Sequence, residues 1–160
     1  MRIFRIALAE CGATARAAFS GQSGYRADGR WHSHGRYLDY AAESRSLATL
    51  ERLVHYKRLD SLARHVIYLL DVPDEHIETV LTVPPGWDGA DLLPSAQAIG
   101  NRWCDQAKSP ALQVRSAVTP AEHNLMLNSR HPAWDWKWVQ GGPEAIAFDA
   151  RMAALLRSGA

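Results

Sequence analysis

The sequence predicts a mixed α/β domain of the α+β type, in which a central sheet is flanked by helices. Two observations predict it. Segments of alternating or continuous apolar character, typical of strands, are interleaved along the chain with segments of helical periodicity. The chain has 160 residues, close to the usual size of one domain, and contains neither an internal repeat nor a linker. We therefore expect residues 1–160 to form a single domain.

The amino-terminal part predicts two strands around a long loop. Residues 1–8 alternate apolar and basic side chains, which is typical of a strand. Residues 19–35 carry four glycines among polar residues and predict a loop of a length that is usually functional. Residues 36–41 then predict a short strand.

A helix is predicted next, over residues 44–58, with Ser44 as its N-cap. Its apolar residues Leu47, Leu50 and Val54 fall at positions i, i+3 and i+7. This spacing predicts one buried helix face.

The middle of the chain continues the interleaving. Residues 64–72 are strongly apolar and predict a strand near the centre of the sheet, followed by a short helix over residues 73–80. Prolines and glycines mark a loop over residues 84–89. Ser95 is a candidate N-cap for a helix ending near residue 107, and residues 111–118 alternate as a strand does.

The carboxy-terminal part is less regular. Residues 124–132 predict irregular structure, and residues 134–142, with three tryptophans, predict a strand and a turn in which the indoles serve packing. Ile146 and Phe148 belong to a strand-like run, and residues 151–157 predict a last short helix.

Composition limits the function classes. Apolar residues make up 47% of the chain and charged residues 22%, as in ordinary globular domains. The net charge of +1 argues against direct nucleic-acid binding, which usually requires a strongly basic face. Cys11 and Cys104 lack metal-ligand spacing and fit reduced thiols in the cytoplasm. We find no signal peptide and no membrane span, so we expect a cytoplasmic protein without membrane contact.

Glu51 is the most informative residue. It lies four residues after Leu47 and three before Val54, spacings that place its carboxylate on the predicted buried face. Burying an unpaired carboxylate is costly. Two arrangements avoid that cost: a structural ion pair, or a cleft in which the acid acts on a ligand. The spacing leaves both open.

Three other residues are candidates for ligand contacts. Tyr40 ends a strand just before a helix, which is a common place for a pocket, although a core aromatic fits as well. Arg30 follows the glycine-rich loop and has the planar geometry that binds phosphate. Arg5 lies in the first strand, where an outward-facing position is equally open. His32 and His34 look like a metal pair, but neighbouring loop histidines more often face water, so no metal site is predicted.

Several sequence blocks follow one another in a fixed order: FRIA (4–7), FSGQSGYRADGRWHSHG (19–35), YAAESRSLATLE (40–51), VRSAVTP (114–120), NLMLNSRHP (124–132) and a closing AFDARM. Together these blocks resemble the RES domain, a family named for an Arg, a Glu and a Ser. No single block is unique, but the ordered set is specific and extends from residue 4 to about residue 150.

The resemblance implies a core like that of the ADP-ribosyltransferases, with NAD as substrate in a cleft and no metal. It implies a toxin of a type II toxin–antitoxin module that cleaves the nicotinamide–ribose bond of NAD by hydrolysis or phosphorolysis. Two alternatives stay open: transfer of ADP-ribose to a protein of nucleotide metabolism, and a non-catalytic nucleotide- or partner-binding module. The implied partner is an Xre-like antitoxin that blocks the active site.

The resemblance also assigns residues by motif position. The implied catalytic residues are Glu51, Tyr40 and Arg5, and the implied NAD-binding residues are Arg5, Arg30, Tyr40, Ser116 and Asn128. Two positions depart from the family pattern: His32 stands where Asn is usual, and Ser129 where Pro is frequent.

Overall fold

The computed structural model describes residues 1–56, 60–147, 149 and 151. Within these residues, seven strands form one sheet and the helices pack around it. The strands are β1 (Arg2–Leu8), β2 (Asp39–Ala42), β3 (His65–Asp71), β4 (Ile77–Thr79), β5 (Ala111–Arg115), β6 (His123–Leu127) and β7 (Val139–Ala145). The α-helices are α1 (Ala15–Ala18), α2 (Gln22–Arg26), α3 (Arg45–Tyr56) and α4 (Pro94–Gln106), with 3₁₀ turns at Asp60–Arg64, Asp74–His76 and Trp136–Trp138. The predicted fold class is confirmed.

The sheet has the order β4-β5-β6-β2-β1-β3-β7, and every neighbouring pair is antiparallel except β4 with β5. Strands β1 and β3 pair over seven positions, whereas β1 and β2 pair only at Phe4 and Ala42. The sheet is therefore nearly divided between β1 and β2. This division matters because a cavity forms along it.

Several predicted elements are confirmed with small changes at their ends. Strand β1 and helix α3 lie where predicted, and the hydroxyl oxygen of Ser44 accepts a hydrogen bond from the backbone N–H of Leu47 at 3.0 Å, as an N-cap does. Strand β3, predicted near the centre of the sheet, is an interior strand. It lies next to the edge, because the edge strand β7 pairs with it. The predicted strand residue Phe148 and the helix over 151–157 fall largely outside the described residues.

Other predictions were wrong, for identifiable reasons. Residues 123–127 form strand β6 rather than irregular structure, because this segment completes hydrogen bonds between β2 and β5 that only the assembled sheet offers. The predicted helix over 73–80 is a 3₁₀ turn followed by β4, which pairs with β5. Helix α4 begins with Pro94 at its first turn, where the missing N–H costs nothing, and Ser95 is not its cap.

The apolar core lies on both faces of the sheet. Helix α3 buries Leu47 and Ala48 against Ile6 and neighbouring strand residues. Leu50 and Val54, predicted to be buried with Leu47, are 40% and 57% exposed, because the helix extends past the sheet along the edge of the cavity.

Aromatic packing supports the rest of the sheet. Trp134 and Trp138 are buried with Phe19 and Tyr68 in one cluster. The tryptophans of the 134–138 segment thus serve packing, as predicted. Helix α4 approaches the loop before β2 so closely that a Cβ atom at residue 100, a glycine, would lie 2.0 Å from a backbone carbonyl oxygen.

Candidate active site

A cavity of about 420 Å³ opens where β1 and β2 separate, within the size range of small-molecule sites. Its walls come from both strands, from the outer part of α3, and from the loops at 23–32 and 115–118. The separation of β1 from β2 thus brings side chains from distant parts of the chain to one space. Of the sequence-predicted site residues, Arg5, Arg30, Tyr40 and Glu51 line this cavity, and Ser116 and Asn128 do not.

Glu51 projects from α3 into the cavity and is half-buried. Its Oε1 atom accepts hydrogen bonds from the hydroxyl of Ser116 at 2.7 Å and from the side-chain amide of Asn124 at 2.5 Å. It makes no ion pair with any residue in the described part of the chain. The structure thus places the Glu51 carboxylate at the cavity, with neutral hydrogen-bond donors as its partners among the described residues.

The hydroxyl group of Ser116 hydrogen-bonds to Glu51. Its proton and its acceptor positions are all used by protein groups, so it offers none to a ligand. Its side chain is fully buried. Its hydroxyl oxygen accepts the backbone N–H groups of Val118 at 3.1 Å and Thr119 at 3.0 Å, and its proton goes to Glu51. The structure thus gives Ser116 a contact with the carboxylate rather than with the cavity.

Asn124 is a site residue that the sequence analysis missed. It lies in β6, the segment predicted to be irregular, and its side chain lines the cavity. In the sheet, Asn124 pairs with Ala42 of β2, and β2 contacts α3. A strand assignment over 123–127 would not have been enough to find Asn124, because the pairing of β6 with β2 depends on the assembled sheet.

Arg5 is buried within the fold rather than facing solvent. Its guanidinium donates to the backbone carbonyls of Ala18 at 2.6 Å and Tyr40 at 2.9 Å, and to the carboxylate of Asp39 at 2.6 Å. Burial lowers the pKa of Arg5, and the neighbouring Asp39 charge opposes that shift. An arginine nevertheless stays charged, so this is a buried ion pair that fixes β2 against β1.

Asp39 balances the Arg5 charge and was also missed by the sequence analysis. Its other contacts are the backbone N–H of Gly21 at 2.8 Å and the hydroxyl of Ser23 at 2.8 Å. The glycine-rich loop is therefore attached to β2 through this carboxylate. Three of the five N–H groups of Arg5 are occupied by protein acceptors, which leaves two without a partner among the described residues.

Tyr40 reaches the cavity from β2, and its hydroxyl oxygen lies 2.8 Å from Nδ1 of His32. His32 is only 2% exposed, so the prediction that it faces water was wrong, whereas His34 is exposed and contacts Asp28. Burial raises the pKa of Tyr40 and lowers that of His32. Both side chains are therefore neutral near pH 7.

Arg30 lines the cavity from the loop at 23–32. Its Nη1 atom donates to the carbonyls of Trp87 at 2.6 Å and Gly89 at 2.9 Å, and the neighbouring Trp31 stacks on Trp87 with ring centroids 5.1 Å apart. The 84–89 loop is thereby held against the wall that carries Arg30. The other two guanidinium nitrogens of Arg30 have no hydrogen-bond partner among the described residues.

Arg52 adds a third arginine to the lining, one that the sequence analysis did not single out. It follows Glu51 on α3, and its Nη2 atom donates to the carbonyl of Ile6 at 2.9 Å. Burial lowers its pKa, and the nearby charge of Arg5 lowers it further. Arg115 is a fourth arginine of the lining, and Asp28 and Glu51 are its two carboxylates, so positive charges outnumber negative ones around the cavity.

Asn128 lies at the far end of β6 from Asn124 and supports a turn. Its Oδ1 atom accepts the backbone N–H of Arg130 at 3.0 Å, and its own N–H donates to the carbonyl of Pro110 at 2.8 Å. The next residue, Ser129, donates to the carbonyl of Phe19. The structure does not bring Asn128 to the cavity.

The described ranges 1–56 and 60–147 lack both a metal-binding cluster and a membrane-spanning helix. They contain no group of three or more His, Cys, Asp or Glu side chains arranged to hold a metal ion. They also contain no helix with the length and apolar character needed to cross a membrane.

Comparison with known families identifies the family of this chain. The profile of the RES domain matches residues 2–149, nearly the whole chain. The chain belongs to the RES domain family. The resemblance drawn from the ordered motifs is therefore confirmed.

Curated relatives of this RES domain are named as toxins. The Toxin Res of Yersinia enterocolitica is 32% identical over 135 residues, which cover 81% of this chain and 89% of that protein. The Prs ADP-ribosylating toxin of a Sphingobium species is 33% identical over 109 residues, covering 65% of this chain and 68% of that protein.

A solved structure shares the fold. One chain of the Mycobacterium tuberculosis MbcT–MbcA toxin–antitoxin complex superposes with a TM-score of 0.69 over 98% of this RES domain and 88% of that chain, at 17% identity. At that identity the similarity establishes the fold.

Proposed function

We propose that this RES domain is the toxin of a toxin–antitoxin module, and that it is an enzyme that binds NAD in the cavity and cleaves its nicotinamide–ribose bond. The observation that carries the proposal is the position of Glu51, a carboxylate held by two hydrogen-bond donors in a cavity lined by four arginines. The toxin names of its relatives support the biological role.

In the proposed reaction, the carboxylate of Glu51 acts through its negative charge. The bond between ribose C1′ and the nicotinamide nitrogen breaks, the electron pair leaves with nicotinamide, and C1′ develops the positive charge of an oxocarbenium-like transition state. The anionic Glu51 stabilises this charge in a partly dry cleft. An oxygen of water then bonds to C1′ and releases a proton to solvent, or an anionic oxygen of phosphate bonds to C1′ without loss of a proton.

The arginines of the cavity are suited to bind the pyrophosphate group of NAD. A pyrophosphate offers planar pairs of oxygens, and guanidinium groups bind such pairs by two parallel hydrogen bonds. Arg5, Arg30 and Arg52 each keep N–H groups that no described protein acceptor uses. Tyr40 offers its ring to the nicotinamide.

The test is direct. Purified protein, free of any partner, is incubated with NAD, and nicotinamide is measured by chromatography with mass detection. Parallel incubations contain phosphate and cell extract, so that the ADP-ribose product reveals whether the acceptor is water, phosphate or a protein. Nicotinamide that stays at background in all three conditions, with folded protein, contradicts the enzymatic proposal.

A second candidate function is transfer of ADP-ribose to a protein. It is favoured by one specific observation, the 33% identity to a toxin named for ADP-ribosylating Prs. Transfer uses the same bond cleavage, with a protein side chain as nucleophile instead of water or phosphate. A discrete mass increase on one extract protein, together with stoichiometric nicotinamide release, supports transfer over NAD degradation.

We also propose that an Xre-like antitoxin restrains the enzyme by covering the cavity. Apolar side chains at the cavity edge support this idea, since Val54 and Leu92 line it while remaining 57% and 45% exposed. A partner that packs on them removes apolar surface from water and closes access to Glu51.

A further inference from the structure

We propose that His32 is a positioning residue that orients the hydroxyl group of Tyr40, so that Tyr40 meets a bound ligand only as a hydrogen-bond acceptor. This inference rests on the proposed function, because it concerns the same cavity. Nothing in the motif roles given above assigns a task to His32, which is one of the two residues that depart from the family pattern.

The geometry of the pair supports the inference. His32 is buried at 2% exposure, and both of its ring nitrogens have partners. Nδ1 lies 2.8 Å from the hydroxyl oxygen of Tyr40, and Nε2 lies 3.2 Å from the carbonyl oxygen of Gly24. The imidazole therefore bridges the glycine-rich loop and the cavity wall.

These partners determine where the protons are. A carbonyl oxygen can only accept, so Nε2 of His32 carries a proton and donates it to Gly24. Burial lowers the pKa of His32, which keeps the ring neutral and leaves Nδ1 as an acceptor. The proton between the two side chains then belongs to Tyr40, whose own pKa is raised by burial.

The surroundings hold this arrangement in place. Gly29 packs so closely that a Cβ atom on it would lie 2.6 Å from Nδ1 of His32 and 2.9 Å from the Tyr40 hydroxyl. The backbones of Gly29 and His32 also hydrogen-bond to each other in both directions, at 2.9 and 3.4 Å. Gly29 thus packs directly against the imidazole, whose orientation follows from the hydrogen bonds of its two nitrogens.

The consequence concerns what Tyr40 can recognise. With its proton committed to His32, the phenol oxygen has only lone pairs to offer. It therefore selects a hydrogen-bond donor, such as a carboxamide N–H or a ribose hydroxyl, and disfavours a phosphate or carbonyl oxygen. Tyr40 is accordingly neither a general base nor a phosphate ligand in this cavity.

Two substitutions of His32 separate its two hydrogen bonds. In His32→Asn, the amide oxygen takes the place of Nδ1 and still accepts from Tyr40, but the contact with Gly24 is lost. In His32→Gln, the amide nitrogen takes the place of Nε2 and still donates to Gly24, but nothing accepts from Tyr40. His131→Gln is a matched control, since both nitrogens of His131 are also hydrogen-bonded but lie outside the cavity.

We expect His32→Gln to lower kcat/KM for NAD cleavage by about tenfold, the order expected for one hydrogen bond. His32→Asn should recover most of that loss. In the Tyr40→Phe background, His32→Gln should cause no further loss, because its partner is gone. Equal losses for Asn and Gln, or a full additional loss in the Phe background, indicate a merely structural His32 and overturn the proposal.

A second measurement does not depend on activity. Long-range ¹H–¹⁵N NMR spectra of the imidazoles in the ligand-free protein should show His32 neutral, with Nε2 protonated and Nδ1 not. A protonated Nδ1 contradicts the inference. If the protein is inactive and His32 still shows the expected tautomer, the proposed NAD cleavage fails while the Tyr40 orientation stands.

Discussion

The hydroxyl of Ser116 donates to Oε1 of Glu51 at 2.7 Å, across 65 positions of sequence. Because the same hydroxyl accepts two backbone N–H groups, its direction is set by the loop after β5. One of the two donors that orient the carboxylate is thus a residue that does not itself line the cavity.

Ser116→Ala should therefore reduce NAD cleavage by about tenfold, because Glu51 loses an orienting donor. Two partly buried N–H groups also lose their acceptor, so the free energy of unfolding should fall by ~1–3 kcal/mol. Urea unfolding and nicotinamide release measure the two effects. Ser109→Ala removes a hydroxyl bonded to Trp103 away from the cavity and should lower stability only. Equal activity of both variants contradicts the positioning of Glu51 by Ser116.

Glu51→Gln should keep the fold and lose activity by roughly 100-fold or more, the usual loss on removing one preorganised electrostatic group. The amide oxygen of Gln can still accept from Ser116 and Asn124, so only the negative charge is removed. Circular dichroism checks the fold, and Glu78→Gln, at an exposed position on β4, is the control. Near-normal turnover of the Glu51→Gln variant would mean that Glu51 has only a structural role.

Asp39→Asn should destabilise the domain by about 3–5 kcal/mol, since it leaves the buried Arg5 charge uncompensated. The matched control is Asp71→Asn, which breaks an exposed pair with Arg2 and should cost about 1 kcal/mol or less. Chemical denaturation of both variants gives the comparison. Similar losses in the two variants contradict a structural role for the buried pair.

Arg5→Lys and Arg30→Lys test the pyrophosphate contacts, because lysine keeps the charge but lacks the planar pair of donors. We expect at least one of them to weaken the binding of a non-cleavable NAD analogue about tenfold, measured by calorimetry. Arg102→Lys, exposed on α4, should bind normally. Unchanged affinity in both cavity variants refutes the pyrophosphate role.

The antitoxin proposal predicts competition. NAD analogue and antitoxin should exclude each other, and each should weaken the other by the same factor. Val54→Asp, at the exposed cavity edge, should weaken antitoxin binding, whereas Leu81→Asp, at an 85% exposed position that does not line the cavity, should not. A ternary complex formed with undiminished affinity rules out occlusion.

The sequence by itself determined the fold class, the family and much of the cavity lining. Strand β1 and helix α3 follow from local periodicity and an N-cap, which depend on near neighbours in the chain. Arg30, Tyr40 and Glu51 were predicted because residue type and ordered motifs identify them, and the structure brings them to one cavity.

Only the tertiary structure decided the contacts made over long sequence distances. Strand β6 forms because β2 and β5 leave a place between them, and with it Asn124 reaches Glu51. The burial of Arg5 depends on Asp39, and that of His32 on the loop around Gly24. Such pairs carry no periodic signal, because each partner becomes available only when remote segments pack together and their buried polar groups must be satisfied.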